Sequence, residues 1–275
     1  MELKYNNPEL SGLSRKERDI LTQLSKTGKL VFSANDIEDV ANVGRARANL
    51  ILSRLSSKGW LQRLLPGTYR IVPIESDSSD PVVEDSWALA TELFNPCYIS
   101  GWSAAEHWGL TDQIFDSLVV FTATKQKASS KIIGGVKFRI RQINQNRIFG
   151  TKTIWEKSSK IFVADIHKTL IDILELPSIG GGGRHVLDIA KAYWRSKEAD
   201  SSILLKYAKK VGKGSVFKRL GLVAESFGKV DKDWLMECKA RSSSGIIKFD
   251  PNGPAKGRII TKWGIRINVP ESDLK

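Results

Sequence analysis

The sequence predicts an α+β protein in which an N-terminal winged helix-turn-helix precedes a larger mixed α/β C-terminal domain. The first observation is the order of signals between Ser33 and Ile71: a short helix, a tight turn, a longer helix and a hairpin. The second is the linker composition of residues 75–81. The third is a set of apolar, strand-like runs followed by amphipathic helices over the rest of the chain.

Apolar residues at helical spacing predict the two central helices of the N-terminal domain. Ser33 is a good N-cap for a helix over residues 36–40. A turn follows, in which Gly44 either adopts positive φ or caps the next helix. That helix spans Arg45 to Lys58, and its apolar face consists of Ala48, Ile51, Leu52 and Leu55.

The longer helix and the hairpin after it have the composition of a DNA-binding surface. Residues 60–72 form two strands joined by a Pro66-Gly67 turn, which predicts a wing. A recognition helix offers donors to the major groove, where Arg suits guanine and Asn suits adenine. The alternative is a helical hairpin with a solvated basic face, as in winged helices that bind proteins. The residues expected to contact duplex DNA are Arg45, Arg47, Asn49, Arg54, Arg63 and Arg70, the last two through phosphates.

Charge is distributed unevenly along the 275 residues, which carry a net charge of +13. Residues 77–124 contain eight acids and neither Lys nor Arg. Residues 125–160 contain ten Lys or Arg and one acid, Glu156. An excess this uneven indicates an electrostatic footprint for a polyanion, and the alternative is charge spread over solvated faces.

Several features indicate a cytoplasmic protein. The chain has no run of 18 apolar residues, so no membrane span is expected. The segment Met1–Asn7 lacks the apolar core of a signal peptide. Cys97 and Cys238 match no metal-ligand spacing and are expected to be buried free thiols in a reducing compartment.

The predicted domains are residues 1–76, a linker at 77–81 and a C-terminal domain at 82–275. Ser14 opens a first helix with a capping box. The C-terminal domain is expected to be β-rich over 112–163 and helical over 164–240. Its predicted helices are 83–93, 166–176, 186–195, 201–211, 216–227 and 232–239, and its predicted strands are 117–122, 136–143, 153–155 and 160–163.

One strand carries an unusual concentration of cations. Residues 136–143 alternate apolar and basic side chains, which is typical of a strand with one solvated face. This face is expected to contribute phosphate contacts, to serve a second function of the C-terminal domain, or to be merely solvated. The predicted basic patch comprises Lys125, Lys127, Lys131, Lys137, Arg139, Arg141 and Arg147.

Three segments carry a family resemblance. Leu64–Ile71 has the sequence of a characteristic wing, and Tyr98–Leu110 contains a Tyr-Ile-Ser, Ser-Ala and Gly-Leu series. Ala164–Leu174 contains Lys-Thr-Leu followed by an apolar residue and Asp172. In this order they resemble the AbiE antitoxin family, the transcriptional regulators of type IV toxin–antitoxin systems. The chain departs from the family pattern by inserting Trp108 and by placing His167 where an acid is common.

The resemblance implies a bifunctional protein of abortive infection, a form of phage defence. Such regulators bind inverted repeats in operator DNA and repress their own operon. Their C-terminal domain counteracts a nucleotidyltransferase toxin encoded next door, without a stable complex. In that case the basic patch is either a DNA contact or the antitoxin surface.

Signals for enzymatic activity are weak, so no catalytic residue, metal or cofactor is expected. Gly180–Gly183 lacks the order of a phosphate-binding loop and is expected to be a hinge. Glu237 and Lys239, with Asp231 and Asp233, resemble a nuclease core but fall on a predicted helix. Two alternatives stay open: a metal-dependent DNA-processing nuclease, and a plain winged-helix repressor without an antitoxin role. Tryptophans expected in the core are Trp87, Trp102, Trp108, Trp155, Trp194 and Trp234.

Overall fold

The computed structural model describes residues 12–76, 78–156 and 159–270. It divides the chain into two compact units. The first runs through Leu93 and includes 130–138 and 155–160, and the second contains the remainder. The segment considered as a signal peptide, and Asp77 of the predicted linker, lie outside the described residues. The domain boundary at 77–81 stays a prediction.

The first unit begins with helices α1 (Arg15–Lys26), α2 (Ala34–Ala41) and α3 (Arg45–Ser57). The predicted capping box is confirmed: the Glu17 N–H donates to the Ser14 hydroxyl, and the Ser14 N–H donates to the Glu17 carboxylate. In the turn before α3, Asn42 adopts positive φ and Gly44 is the N-cap residue. The core that α1, α2 and α3 share includes Leu24, Ile37, Ala48, Leu52 and Leu55.

The hairpin after α3 consists of β1 (Leu61–Leu65) and β2 (Thr68–Ile71), paired antiparallel as predicted. Gly67 closes the turn at φ +75°, a conformation that favours glycine. Phe32 forms a bridge to Tyr69, with N···O distances of 2.7 and 2.8 Å in the two directions. The segment between α1 and α2 therefore extends the hairpin by one more strand-like element.

Helix α4 (Ser86–Phe94) begins three residues later than the predicted helix at 83–93. Its Glu92 carboxylate accepts hydrogen bonds from the N–H groups of Leu30 and Val31, at 2.9 and 3.0 Å. These two backbone donors lie between α1 and α2. Glu92 therefore satisfies polar backbone groups that the helices leave unpaired.

A six-stranded sheet has the order β5-β6-β4-β3-β8-β7. Strand β3 pairs antiparallel with β4 and parallel with β8, where Ile99 lies opposite Val163. Helix α5 (Gly101–His107) connects β3 to β4. All four predicted strands are confirmed, with shifted ends. The strands are β3 (Cys97–Ile99), β4 (Ser117–Thr122), β5 (Ser130–Ile133), β6 (Val136–Gln142), β7 (Thr151–Glu156) and β8 (Ser159–Ala164).

From residue 166 onward the second unit is mainly helical, as predicted, and the α+β class is established. Its core is centred on α6, in which Leu170, Ile171, Ile173 and Leu174 are inaccessible to solvent. The helices are α6 (Ile166–Glu175), α7 (Gly183–Arg195), α8 (Ser201–Val211), α9 (Gly214–Phe227) and α10 (Lys232–Ala240). Short strands follow at β9 (Ile247–Lys248), β10 (Ile259–Ile260) and β11 (Ile265–Arg266).

The positions of two tryptophans were not predicted correctly from the sequence. Trp155 is 68% exposed, so its assignment to the core was wrong. Trp263 is inaccessible to solvent, although it was not among the tryptophans expected in the core. Gly180–Gly183 lies at a short 3-10 turn and the start of α7, which agrees with the predicted hinge. None of the described helices is long and apolar enough to cross a membrane.

Candidate nucleic-acid interface and buried polar cluster

The outer surface of α3 combines small, apolar and basic side chains. Ala48, Leu52 and Leu55 are buried. At 100° per residue, the opposite side is centred on Ala46, Leu50, Ser53 and Ser57, all exposed. Residues 45–57 include no acid. The exposed side of α3 can therefore approach a polyanion without repulsion from its own side chains.

Two arginines and one asparagine lie on either side of the exposed face of α3. Arg47 and Arg54 are seven residues apart, so they lie on the same side of α3, and both are exposed. Neither forms an ion pair with any residue that the structure describes. Asn49 is exposed on the other side. This arrangement offers donors on both sides of a smooth helix face, which suits base edges and phosphates of duplex DNA.

Arg45 is held differently from Arg47. Its Nη1 lies 2.9 Å from Oε2 of Glu38 on α2, and it also donates to the Asn35 side chain. The Arg45 side chain is 59% exposed. An acceptor in the protein thus competes with any base or phosphate for this guanidinium.

The two wing arginines have opposite environments. Arg63 is exposed on β1. Arg70 is only 9% exposed, and its guanidinium donates to Gln62 and to the Pro81 carbonyl. Burial lowers the pKa of Arg70, although the charges of nearby acids oppose this effect. The expected phosphate contact of Arg70 is therefore corrected to a structural role, because its donors are used inside the first unit.

Sequence reasoning missed Leu50. This side chain is 59% exposed in the middle of α3, between the cationic flanks. An exposed leucine is ordinary by itself, but this one lies where a recognition helix faces the floor of the major groove. Its exposure could have been predicted from its position around the helix, because Leu50 falls about 160° from the buried Leu52.

The basic strand has the predicted alternation. In β6, Phe138 and Ile140 are buried, whereas Lys137, Arg139 and Arg141 are exposed. Lys125 and Lys127 are exposed after β4, and Lys131 is partly exposed on β5.

Arg147 does not belong to an exposed patch. Its side chain is 16% exposed and pairs with Glu175, which also accepts from Lys213 at 2.7 Å. Burial alone would raise the pKa of Glu175, but hydrogen bonds from Lys213 and Arg147 lower it below its ordinary value. The expectation for Arg147 is corrected because its charge is compensated within the second unit.

A buried polar cluster joins two of the segments that carried the family resemblance. Tyr98 and Ser100 come from the first segment, and Lys168 and Asp172 from the other. The Asp172 carboxylate accepts from the Tyr98 hydroxyl at 3.0 Å and the Ser100 hydroxyl at 2.8 Å. Lys168 donates to the Tyr98 oxygen at 2.8 Å and forms an ion pair with Asp172.

This cluster has the properties of a structural element. Its four residues are at most 1% exposed, and each polar side chain has a partner within the cluster. Burial raises the pKa of Tyr98, and the negative charge of Asp172 raises it further. Lys168 and Asp172 pair at i,i+4 spacing on α6. Asp165 caps the same helix, accepting from the Lys168 N–H at 2.7 Å.

The residues considered for catalysis have structural partners. Glu237 lies on helix α10, as expected, and pairs with Lys209 and Arg241. Asp231 caps the same helix, accepting from the Trp234 N–H at 2.7 Å. Cys97 and Cys238 are buried free thiols, and desolvation raises the pKa of each to about 12. Within the described ranges, no group of three or more His, Cys, Asp and Glu side chains is arranged to hold a metal.

One comparison with known proteins covers the segment that contains α3 and the β1–β2 hairpin. The family model described as "Transcriptional regulator, AbiEi antitoxin" matches residues 19–72. This match confirms the resemblance for the segment from α1 to the end of the hairpin. The comparison with curated proteins found no match.

One solved structure matches most of the chain. The crystal structure of the RV2827C protein from Mycobacterium tuberculosis aligns over 96% of this chain and 94% of that one. The TM-score is 0.61 and the sequence identity is 12%. At this identity the similarity shows a shared fold and leaves the activity to be argued from the residues.

Proposed function

We propose that this protein is a transcriptional regulator that binds duplex operator DNA through α3 and the β1–β2 hairpin, a winged helix-turn-helix. The observation that carries the proposal is the acid-free exposed side of α3, with Arg47 and Arg54 on one side and Asn49 on the other. It lies within the segment that matches the regulator family model. Arg63 on the wing adds a phosphate contact.

A binding measurement tests the regulatory function. Full-length protein is titrated into a labelled duplex from upstream of its own gene and into a scrambled duplex of equal length. Arg47→Ala should cost about 1–3 kcal/mol on the upstream duplex and much less on the scrambled one, because base contacts supply discrimination. Asp188→Asn, at an exposed position of α7, is the control. Equal losses on both duplexes would reassign Arg47 to a phosphate contact, and equal affinity of the unmodified protein for both would refute operator binding.

We further propose that the second unit supplies the antitoxin activity of a type IV system, directed at a nucleotidyltransferase toxin without a stable complex. The family resemblance supports this part of the proposal, and a nucleotidyltransferase gene beside this one would support it further. Coexpression with that toxin tests it: full-length protein should restore growth, and a folded protein that fails to do so would leave a plain repressor. Repression and antitoxin action on such a pair place the protein in the cytoplasm.

The basic residues of β6 offer a way to separate the two activities. Replacing Lys137, Arg139 and Arg141 with Gln should flatten the slope of log affinity against log salt by roughly two to three if they contact operator phosphates. An unchanged slope with lost rescue would assign these residues to the antitoxin activity. If neither changes, this face of β6 is only solvated. Incubating a plasmid with the protein and Mg²⁺ tests the nuclease alternative, which requires cleavage.

A further inference from the structure

The C-terminal part of the second unit contains a cavity of about 370 Å³ with an unusual charge pattern. Helices α9 and α10 contribute one lysine each, Lys218 and Lys239. The remaining lining comes from residues 243–246 and from the β10–β11 hairpin. The volume lies within the range of small-molecule sites.

Lys218 is a buried cation without a carboxylate partner among the described residues. It is 2% exposed, and its ammonium donates to the carbonyl of Gly245 and, at 3.4 Å, to that of Gly264. Burial lowers the pKa of Lys218, and the charge of Lys239 lowers it further. Because buried charges are normally paired, the described part of the chain leaves the Lys218 ammonium short of an anionic partner.

Lys239 adds a second positive charge to the cavity lining. Lys239 is exposed, and its ammonium reaches only the carbonyl of Lys262 among the described residues. The nearby acids are engaged elsewhere: Glu225 accepts from Lys262 and from the Trp263 indole, and Glu237 pairs with Lys209 and Arg241. Among the residues that the structure describes, no acid lines the cavity.

The rest of the lining combines hydroxyl groups with apolar surface. Ser243, Ser244 and Thr261 offer hydroxyls, while Ile246, which is 57% exposed, and the partly exposed Ile259 offer apolar surface. Cations and hydroxyls suit phosphate oxygens, and the apolar surface suits a heterocyclic base.

We propose that this cavity binds a nucleoside phosphate, with Lys218 and Lys239 as the counter-charges of its phosphate groups. The ligand is assigned as a small molecule because the cavity is small and its lining contains a single pair of cations. The proposal is independent of operator binding by α3, since none of its residues belongs to the first unit.

Calorimetry on the full-length protein tests the assignment. ATP, CTP, GTP and UTP are titrated separately, each beside its unphosphorylated nucleoside. At least one triphosphate should bind at one site per chain, and its nucleoside should bind at least about tenfold more weakly, since charged hydrogen bonds contribute this much. Inorganic phosphate should bind more weakly than the nucleotide because it leaves the apolar wall uncovered.

Two lysine variants and one control locate the site. Lys239→Gln should weaken nucleotide binding about tenfold, whereas Lys229→Gln, an exposed lysine outside the lining, should not. Lys218→Met keeps the side-chain volume and should also lose binding; its circular dichroism spectrum and melting temperature report whether it folds. Added nucleotide should raise the melting temperature of the unmodified protein but not of Lys239→Gln.

Three outcomes would overturn the proposal. The first is the absence of saturable binding for all four triphosphates. The second is binding that Lys239→Gln and Lys229→Gln weaken equally, which would indicate general attraction to a basic protein. The third is inorganic phosphate binding as tightly as every nucleotide, which would exclude a contribution from the apolar surface of Ile246 and Ile259.

Discussion

The guanidinium of Arg45 lies 2.9 Å from the carboxylate of Glu38, across the turn that joins α2 to α3. This pair positions one predicted base-reading side chain before any DNA is present. It also lowers the positive charge available at the start of the recognition helix.

Glu38→Gln should strengthen DNA binding, because Arg45 then loses an internal competitor and the surface loses an acid. We expect a severalfold gain in affinity for duplex DNA, and a salt slope steeper by up to about 0.9. Fluorescence anisotropy at several salt concentrations measures both. A weaker affinity for the upstream duplex would contradict this expectation and make Glu38 a positioning residue for Arg45.

Leu50→Ala should reduce affinity for a specific duplex by about 1 kcal/mol, roughly fivefold, if Leu50 packs on thymine methyl groups. The decisive measurement uses the same duplex with deoxyuridine in place of thymidine, which lacks those methyls. The variant and the base change should then be non-additive. Ile114→Ala, at an exposed position of the second unit, is the control and should change nothing. Additive losses would rule out a methyl contact.

Asp172→Ala should destabilise the protein by about 3–5 kcal/mol, because it leaves the Lys168 ammonium buried without its counter-charge. The double variant Lys168→Met, Asp172→Leu should recover much of that loss. Urea unfolding followed by tryptophan fluorescence provides the free energies. The exposed pair Lys209–Glu237 is the matched control, and Glu237→Gln should destabilise the protein far less than Asp172→Ala. Similar costs for Asp172→Ala and Glu237→Gln would contradict the role assigned to the buried cluster.

Stability should fall between about pH 4.5 and pH 2 partly because of Glu17. The hydrogen bond from Lys58 lowers the pKa of Glu17 from 4.5 to about 2, and the capping interactions with Ser14 contribute. A carboxyl whose pKa is lower in the folded state stabilises that state above its unfolded pKa, and the effect disappears as pH falls through the folded pKa. Glu17→Gln should therefore lower the melting temperature at pH 7 and flatten its decline in this window. Glu106→Gln, exposed on α5, should leave the profile unchanged.

Local signals in the sequence predicted local structure well. The capping box at Ser14 and the apolar phase of α6 depend on neighbours three or four residues away, and both are present in the structure. The Lys168–Asp172 pair has the same local spacing, at four residues.

The remaining features depend on residues distant in the chain. Arg70 is buried with its guanidinium donating to the Gln62 side chain and the Pro81 carbonyl. The alternation of residues in a strand does not predict these two acceptors. Tyr98 donates to Asp172, which lies 74 residues later in the chain, so the local sequence around either residue does not predict the buried cluster. Trp155 lies on β7 with its side chain exposed, although its size favoured the core.

The hydrogen bonds from the backbone of Leu30 and Val31 to Glu92 limit how early an N-terminal fragment of this chain can end. A fragment ending at residue 76 would lose both this carboxylate and the Pro81 carbonyl that accepts from Arg70. The Leu30 and Val31 N–H groups and the Arg70 guanidinium would each lose a protein acceptor, at a cost in folding free energy. A fragment extended through Phe94, the end of α4, keeps the Glu92 and Pro81 acceptors. For limited proteolysis or crystallisation, the helix α4 is thus part of the smallest useful N-terminal piece.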